Sequence, residues 1–184
     1  MIKLVNQKSY LMPMFHFAKK LLIQVSLWLA MSYAAFAQSS YDKLLNSIYK
    51  KTVPLISPED LHRLIQHQKN VILLDTRSLK EYAVSHLPNS TCVGYDTLDT
   101  GKIESLAKDA KIIVYCSVGY RSERIGEKLL DMGFKDVHNL YGGIFQWKNQ
   151  DHAVVNLQGV ATDSVHTYNK TWSKWLQKGI KVYE

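Results

Sequence analysis

A cysteine and an arginine that flank a glycine-containing turn are the residues best suited to covalent chemistry in this chain. Cys116 opens the hexapeptide Cys-Ser-Val-Gly-Tyr-Arg, and Arg121 closes it. Within the hexapeptide, Gly119 is free to take backbone conformations that other residues avoid. A thiolate is the nucleophilic form of cysteine, and an arginine beside it can bind a substrate or brace the turn. The pattern therefore indicates a nucleophilic thiolate in a tight loop.

The segments on either side should place this loop between a strand and a helix. Lys111–Tyr115 is short, mostly apolar and β-branched, which is typical of a strand buried on both faces. From Arg124 onward, Ile125, Leu129 and Met132 lie on one side of a predicted helix. A helix N-terminus offers free N–H groups and partial positive charge. A thiol held there should ionise more readily than a free cysteine side chain.

Both side chains also have a plainer interpretation. Free cysteines are most often buried core residues, so Cys116 could belong to the core alone. Arg121 could be a solvated residue in the first turn of the helix, although the helix dipole disfavours a cation there. Because the helix dipole disfavours an arginine in the first turn, we favour a role for Arg121 in contacting substrate or bracing the loop.

The Cys-x4-Arg loop in this setting resembles the active-site loop of the single-domain rhodanese-like sulfurtransferases. The resemblance extends over about residues 53–147. Further segments similar to that family are Asp75-Thr76-Arg77, Glu81-Tyr82, His86-Leu87-Pro88, Gly133-Phe134 with Val137, and Asn139 to Ile144 with Trp147. The chain departs from the family pattern at Ser85 and at Asn89-Ser90, in a turn that is remote in sequence from Cys116.

The resemblance implies an α/β fold with a central, mostly parallel sheet flanked by helices. It also implies that Cys116 is catalytic, because the family's cysteine accepts a sulfane sulfur and holds it as a persulfide. The implied persulfide-stabilising loop consists of Ser117, Val118, Gly119, Tyr120, Arg121 and Ser122. Asp75 and Arg77 would support the site structurally, in a charge cluster with Glu81, and His86 would brace a turn.

The resemblance also implies partners, and the sequence leaves rival functions open. We expect a small sulfur donor such as thiosulfate and a thiophilic acceptor, which is a thiol, cyanide or a protein, and we expect no cofactor. Cysteine phosphatases and arsenate reductases carry Cys-x5-Arg, one residue longer, so phosphate chemistry is disfavoured. A non-catalytic binding module is one alternative. A thiol redox protein with a Cys92–Cys116 disulfide is another.

Residues 1–37 have the composition of a secretory signal peptide. They contain four lysines and no acidic residue, residues 21–35 are almost wholly apolar, and Ala35-Phe36-Ala37 precedes the expected cleavage. We therefore expect a periplasmic or secreted protein with no stable membrane insertion after cleavage. The alternative is a retained anchor, although the apolar run is shorter than the roughly 20 residues of a spanning helix.

The charge that remains after leader removal argues against nucleic-acid binding. Without its four leader lysines, the chain keeps 19 of its 23 basic residues against 16 acidic residues. No basic run interleaved with aromatic residues remains. The seven histidines show no ligand spacing with each other or with a cysteine, so the sequence predicts no metal site.

Outside the loop, the pattern predicts the following organisation. Residues 38–52 are a helical lead-in, with Tyr41, Leu44, Leu45 and Ile48 at helical spacing, and residues 53–148 are the rhodanese-like domain. Within the domain, strands are predicted at 53–56, 71–75 and 91–95, and a weak helix at 103–107. Helices should begin at Ser57-Pro58 and at the capping box Ser78 to Glu81.

Residues 149–184 form a predicted C-terminal extension. Asp163 or Ser164 should cap a helix that ends at Gly179. Its apolar stripe would consist of Val165, Tyr168, Trp172, Trp175 and Leu176. We expect this helix to pack on the domain. The alternatives are that it binds a partner, or that it borders the mouth of the active site and limits the substrates admitted.

Overall fold

The structure, a computed structural model, describes residues 8–68 and 70–183. It separates into two units, Met1–Leu44 and Leu45–Glu184. Helix α1 (Lys8–Ile48) covers most of the predicted leader and residues 38–48 of the predicted lead-in at 38–52. Residues 1–7 of that leader lie outside the described residues. Large apolar side chains between residues 21 and 31, among them Trp28, are exposed. In the part of the chain that is described, no helix combines the length and apolar character that a membrane span requires.

A five-stranded parallel sheet forms the centre of the second unit. Its strands are β1 (Leu55–Ile56), β2 (Val71–Asp75), β3 (Thr91–Cys92), β4 (Lys111–Tyr115) and β5 (Asp136–Leu140). Their order in the sheet is β1-β5-β4-β2-β3, and every pair is parallel. Leu74 pairs with Val114 and Asp75 pairs with Tyr115, so β2 and β4 end side by side. The predicted α/β fold with a mostly parallel sheet is confirmed.

Helices cover both faces of this sheet, as parallel connections require. They are α2 (Pro58–His67), α3 (Leu79–Val84), α4 (Gly101–Glu104), α5 (Tyr120–Asp131) and α6 (Gly143–Asn149). Between α5 and the sheet lies a core cluster whose members include Val114, Ile125, Leu129 and Val137, each at most 2% exposed. The core therefore lies directly under the segment that carries Cys116.

The local helix signals predict the starts of α2 and α3 correctly. Ser57 caps α2 by accepting the amide N–H of Asp60 at 3.0 Å. Ser78 and Glu81 form the full capping box at α3. Other boundaries differ from the prediction: β3 stops at Cys92, α4 begins at Gly101, and α5 begins at Tyr120 rather than near Arg124. The last part of the predicted loop is thus already the first turn of α5.

The long helix predicted over the C-terminal extension is wrong. Val165 instead lies in strand β8 (Ser164–His166), which pairs in parallel with β9 (Ile180–Val182). Tyr168 takes a left-handed backbone conformation with φ +65°, which no helix can contain. Asn169 then caps the four-residue helix α7 (Lys170–Ser173). The apolar spacing was misleading because Val165 and Trp172 belong to two separate short elements, β8 and α7, and not to one helix.

Several contacts tie the extension to the rest of the second unit. Strand β6 (Val154–Val155) pairs with β7 (Ala161–Thr162), and Val155 also exchanges two backbone hydrogen bonds of 2.9 Å with His86. Strand β8 packs near α3. The ammonium group of Lys148, which is buried on α6, binds the Asp163 carboxylate at 2.6 Å. Residues 155 to 166 of the extension are therefore held next to α3 and α6.

Candidate active site

Cys116 directly follows β4, and the next residues turn sharply into α5. The turn depends on Gly119, the N-cap of α5, whose φ of +95° is a left-handed conformation. This conformation directs the amide of Gly119 toward the thiol, where it donates a hydrogen bond of 3.1 Å to Sγ of Cys116. The thiol therefore lies at the N-terminus of a twelve-residue helix, where negative charge is stabilised.

Helix α6 holds the opposite side of the loop. The amides of Ile144 and Phe145 donate to the carbonyl oxygens of Cys116 and Ser117 at 2.9 and 3.1 Å. This close approach requires Gly143, because a Cβ atom there would lie 2.3 Å from the Cys116 carbonyl oxygen. Helix α6 thus binds the first two carbonyls of the loop, while the Gly119 amide is directed at Sγ.

Tyr49, near the end of the predicted lead-in, holds the loop through hydrogen bonds of its hydroxyl. The sequence did not predict Tyr49 as a site residue. The buried hydroxyl of Tyr49 donates to the carbonyl of Val118 at 2.6 Å and accepts the amide of Gly142 at 2.9 Å. Burial raises the pKa of Tyr49 well above its usual value, so the hydroxyl stays a donor. A Cβ atom at Gly119 would lie 2.2 Å from this hydroxyl. No local pattern marks Tyr49, because its partners are far away in the chain.

Arg121 braces the loop through a carboxylate on α3. Its terminal nitrogens donate to both oxygens of Glu81 at 2.9 and 2.6 Å, and one also donates to the Ser117 hydroxyl at 3.1 Å. The Ser117 hydroxyl in turn donates to Glu81 at 3.2 Å. Burial alone would raise the pKa of Glu81, but the hydrogen bonds and charge of Arg121, with the charge of Arg77, lower it to about 2. Arg121 is therefore not a solvated first-turn residue.

Asp75 and Arg77 form a separate, completely buried ion pair at the end of β2. Arg77 donates to both carboxylate oxygens of Asp75 and, at 2.7 Å, to the carbonyl of Ser85. The predicted cluster of these two residues with Glu81 thus resolves into two pairs, because Glu81 binds Arg121. His86 stacks on Tyr82 and lies 3.0 Å from its carbonyl through Nδ1, as a turn-bracing residue should.

Asn139 on β5 joins the loop to the first turn of α5. Its side-chain amide donates to the Gly119 carbonyl at 2.9 Å, and its oxygen accepts the Ser122 hydroxyl at 2.7 Å. All of these groups are buried, so their loss would leave polar atoms without partners. Asn139 belongs to the matched family segment, but nothing in the sequence assigned it to the site.

A cavity of about 390 Å³ opens onto this loop. Cys116, Ser117, Val118, Tyr120 and Arg121 line it, so five of the predicted loop residues face one space. Cys116 itself is only 1% exposed, yet it lies on the cavity wall rather than inside the core cluster. Ser122 points away and binds Asn139. The arrangement suits a reaction at Sγ that is shielded from bulk water.

The second cysteine does not form a bridge with the first. Cys92 and Cys116 are both free thiols. Cys92 is buried at the end of β3, where its thiol donates to the Arg77 carbonyl at 3.5 Å, and burial raises its pKa. Within the described ranges, no group of three or more His, Cys, Asp or Glu side chains is arranged to hold a metal ion. The site chemistry thus centres on one cysteine.

Comparison with known families agrees with this geometry. The model of the Rhodanese-like domain matches residues 57–150, about half of the chain. The chain belongs to the rhodanese-like family. The matched region contains β2, β4, α5 and the whole Cys116 loop. Tyr49 and the C-terminal extension beyond residue 150 lie outside it.

Three curated relatives share this domain within different proteins. The adenylyltransferase and sulfurtransferase UBA4 of Candida albicans is 30% identical over 51% of this chain and 23% of its own. A tRNA uridine(34) hydroxylase of Arthrobacter sp. is 28% identical over 62% of this chain and 41% of its own. The thiosulfate sulfurtransferase GlpE of Coxiella burnetii is 28% identical over 44% of this chain and 75% of its own. The chain thus spans less than half the length of the first two.

A solved structure supports the fold. The rhodanese-like domain of an Anabaena sp. protein superposes with a TM-score of 0.52 and 24% identity, covering 56% of this chain and 80% of that one. At this identity, the likeness concerns the architecture. Membership in the rhodanese-like family supports sulfurtransferase-like activity in a broad sense.

Proposed function

We propose that this protein is a sulfurtransferase that carries a sulfane sulfur as a persulfide on Cys116. The observation that supports this most directly is the hydrogen bond from the Gly119 amide to Sγ, on a cavity wall at the N-terminus of α5. Peptide N–H groups at this place stabilise a thiolate and, after transfer, a persulfide anion.

The reaction has two half-reactions. In the first, the Cys116 thiolate attacks the outer sulfur of a donor such as thiosulfate, and the donor's S–S bond breaks with release of sulfite. In the second, a thiophilic acceptor attacks the terminal sulfur of the persulfide, and the new S–S bond breaks to restore the thiolate. Neither step requires a positioned base when the cysteine is already ionised.

The surrounding residues have distinct roles in this proposal. The amides of the loop from Ser117 to Ser122 stabilise the charge on the transferred sulfur. Glu81 and Tyr49 keep the loop in shape through Arg121 and Val118. Asp75 and Arg77 support the end of β2 and take no part in the chemistry.

The location and partners of the protein belong to the same proposal. Its leader directs export to the periplasm or to the medium, and the mature protein carries no stable membrane insertion. Its partners are a small sulfur donor and a thiophilic acceptor, which is a thiol, cyanide or a protein, and do not include nucleic acid. The near-balanced charge of the mature chain is consistent with these partners.

Mass spectrometry after thiosulfate treatment tests the proposed chemistry. We expect one sulfur atom added to the peptide that contains Cys116, release of that sulfur on addition of cyanide, and formation of thiocyanate. Cys116→Ser should abolish the adduct and the thiocyanate, whereas the matched variant Cys92→Ser should retain both. An unmodified Cys116 and no thiocyanate would favour a non-catalytic binding module instead.

A further inference from the structure

The cavity at Cys116 is much larger than an inorganic sulfur donor needs. Its volume of about 390 Å³ falls in the range of roughly 300–1,000 Å³ that is typical of sites for organic ligands. Thiosulfate has only five non-hydrogen atoms and would leave most of this space to water. The size of the site therefore fits a donor or acceptor with a carbon framework.

Aromatic side chains from two different parts of the chain line this space. Tyr95 and Tyr120 belong to the region that the family model matches, whereas Tyr168 and Trp172 come from the C-terminal extension. Tyr168 is 56% exposed and Trp172 is half-buried, so both rings present a face that a ligand can cover. Aromatic faces of this kind bind planar and apolar groups by stacking and by edge contacts.

The backbone around Tyr168 is built to hold its ring at this position. Its φ of +65° is unfavourable for a tyrosine, and its amide donates to Nδ1 of the buried His166 at 3.1 Å. Thr167, which directly precedes Tyr168, is held in place because its amide donates to the Val182 carbonyl at 2.7 Å. Asn169 accepts the amide of Trp172 at 3.1 Å. Strain that is held in place by such contacts commonly marks a functional position.

The charges on the cavity wall do not suit a small dianion. Among the described residues that line the cavity, Arg121 is the only cation, and both of its terminal nitrogens already bind Glu81. Its guanidinium carbon also lies 5.6 Å from the centre of the Tyr168 ring. Asp96 adds a carboxylate to the wall. A donor that carries less negative charge than thiosulfate would meet less repulsion here.

From these observations we propose that the C-terminal extension makes the site selective for organic sulfane-sulfur donors with an aromatic or similarly apolar framework. Tyr168 and Trp172 would contact that framework while the sulfane sulfur reaches Cys116. This inference rests on the proposed sulfurtransferase function and names the substrate class of the same site.

The transfer from such a donor follows the scheme given above. For a thiosulfonate, the Cys116 thiolate attacks the terminal sulfur, the bond between that sulfur and the sulfonyl sulfur breaks, and the sulfinate leaves with the bonding electrons. The products are the sulfinate and the Cys116 persulfide anion, so charge and atoms balance without a further reactant.

Three donors separate the contributions of charge and framework. Methanethiosulfonate carries one negative charge fewer than thiosulfate, and benzenethiosulfonate has the same charge as methanethiosulfonate but adds an aromatic ring. We expect kcat/KM to rise from thiosulfate to methanethiosulfonate, and by about tenfold more to benzenethiosulfonate, the factor that an aromatic contact in a partly desolvated site provides.

Variants of the extension test whether Tyr168 and Trp172 produce this preference. Tyr168→Gly removes the ring and suits the left-handed backbone, so it should fold without strain. It should lower kcat/KM for benzenethiosulfonate about tenfold, mainly through KM, and for methanethiosulfonate less than twofold. Tyr168→Phe should keep the preference. Trp172→Ala should act like Tyr168→Gly.

Matched controls come from the same extension. Tyr183→Ala removes another exposed tyrosine, and Trp175→Ala removes another tryptophan, and neither residue lines the cavity. Both should retain the wild-type ratio of the two thiosulfonate rates. Thermal unfolding of each variant checks that the extension still folds.

The outcomes distinguish this inference from the proposed function. If a Cys116 adduct forms but thiosulfate is used as well as benzenethiosulfonate, the selectivity is overturned while sulfur transfer stands. Equal losses for both thiosulfonates in Tyr168→Gly and Trp172→Ala would also overturn it. If none of the three donors modifies Cys116, sulfur transfer itself fails, and the selectivity fails with it.

Discussion

At the scale of single residues, the site depends on buried polar groups that satisfy one another. Arg121 and Glu81 neutralise each other beside the loop, and Tyr49 and Asn139 bind the carbonyls of Val118 and Gly119. Such groups are costly to bury alone, because each would lose its hydrogen bonds to water. Removing one member of such a pair should therefore disturb the loop, because the other member stays buried without its hydrogen-bond partner.

Glu81→Gln tests the charge of the buried pair. Glutamine can still accept hydrogen bonds in the capping box through its one oxygen, but its NH2 group replaces the second oxygen that accepts from Arg121. The change therefore removes the negative charge and one acceptor opposite Arg121. The pKa of Glu81 lies at about 2 in the folded protein, below its usual 4.5. Its contribution is therefore complete above about pH 4.5 and is lost as the pH falls through 2.

At pH 7 we expect Glu81→Gln to lower the free energy of unfolding by on the order of 3 kcal/mol. The difference from wild type should shrink as the pH falls from 4.5 toward 2, as measured by denaturant titration at each pH. Asp99→Asn, which removes a carboxylate from an exposed pair with Lys102, should leave the unfolding curve nearly unchanged. A difference that persists at pH 2 would contradict the role of the charge.

Gly119→Ala tests the clearance between the loop and Tyr49. The added Cβ would collide with the Tyr49 hydroxyl at 2.2 Å, so the loop or the tyrosine must move. Gly133 provides a matched control, since its φ of +90° is similar and no atom lies within 4 Å of its Cβ position. Gly133→Ala should cost about 1 kcal/mol of stability and keep sulfur transfer.

We expect Gly119→Ala to cost more stability than Gly133→Ala and to reduce the rate of persulfide formation at least tenfold, because the Gly119 amide leaves Sγ. Stopped-flow measurement of the first half-reaction checks the rate. Similar behaviour of the two variants would mean that the contact with Tyr49 does not shape the loop.

At the scale of secondary structure, each short element supplies one group to the site at its end. Strand β4 presents Cys116, helix α5 presents its N-terminus, α6 presents two amides, and α3 presents Glu81 from its first turn. Helix ends are suited to this because their backbone groups have no partners inside the helix. The capping box of α3 therefore serves the site as well as the helix.

Ser78→Ala tests this coupling between a helix cap and the site. The Ser78 hydroxyl donates to Glu81 at 2.9 Å and accepts its amide at 3.3 Å, so its loss should cost about 1 kcal/mol and loosen Glu81 opposite Arg121. Ser57→Ala removes the equivalent cap of α2, whose residues do not line the cavity at Cys116.

Both serine variants should lower the melting temperature by a similar amount, but only Ser78→Ala should slow sulfur transfer, by a few-fold. Calorimetry and a thiocyanate assay on the same preparations measure the two effects. Equal activity in both variants would show that the α3 cap matters for stability alone.

At the scale of the whole molecule, we predict different roles for the two units. The second unit contains the sheet, the site and the extension, whereas the first contains most of α1 and the predicted leader. The lysines and the apolar run of residues 1–37 predict processing rather than a role in the site.

Expression in a bacterial secretion host tests this expectation. We expect cell fractionation to find the exported protein in the soluble periplasmic or extracellular fraction. Its intact mass should show that it begins at Gln38. Ala35→Arg together with Ala37→Arg should block cleavage, because signal cleavage needs small residues at these positions. Recovery of the wild-type chain with its first 37 residues in the membrane fraction would favour the anchor instead.

Local chemistry determined much of this protein. The apolar runs predicted β2 and β4, Ser57 and Ser78 predicted two helix starts, and Cys-x4-Arg indicated the loop, because each depends only on residues a few positions apart. Each of these signals lies within a single segment, so it can be recognised before the fold is known.

Only the tertiary structure decided which distant groups complete the loop. Tyr49 reaches Val118 across 69 residues, and Arg121 reaches Glu81 across 40. The apolar spacing of the C-terminal extension predicted one helix, but pairing of β8 with β9 and the left-handed Tyr168 overrode it. Periodicity describes one segment at a time, whereas these contacts arise when separate segments pack against the same cavity.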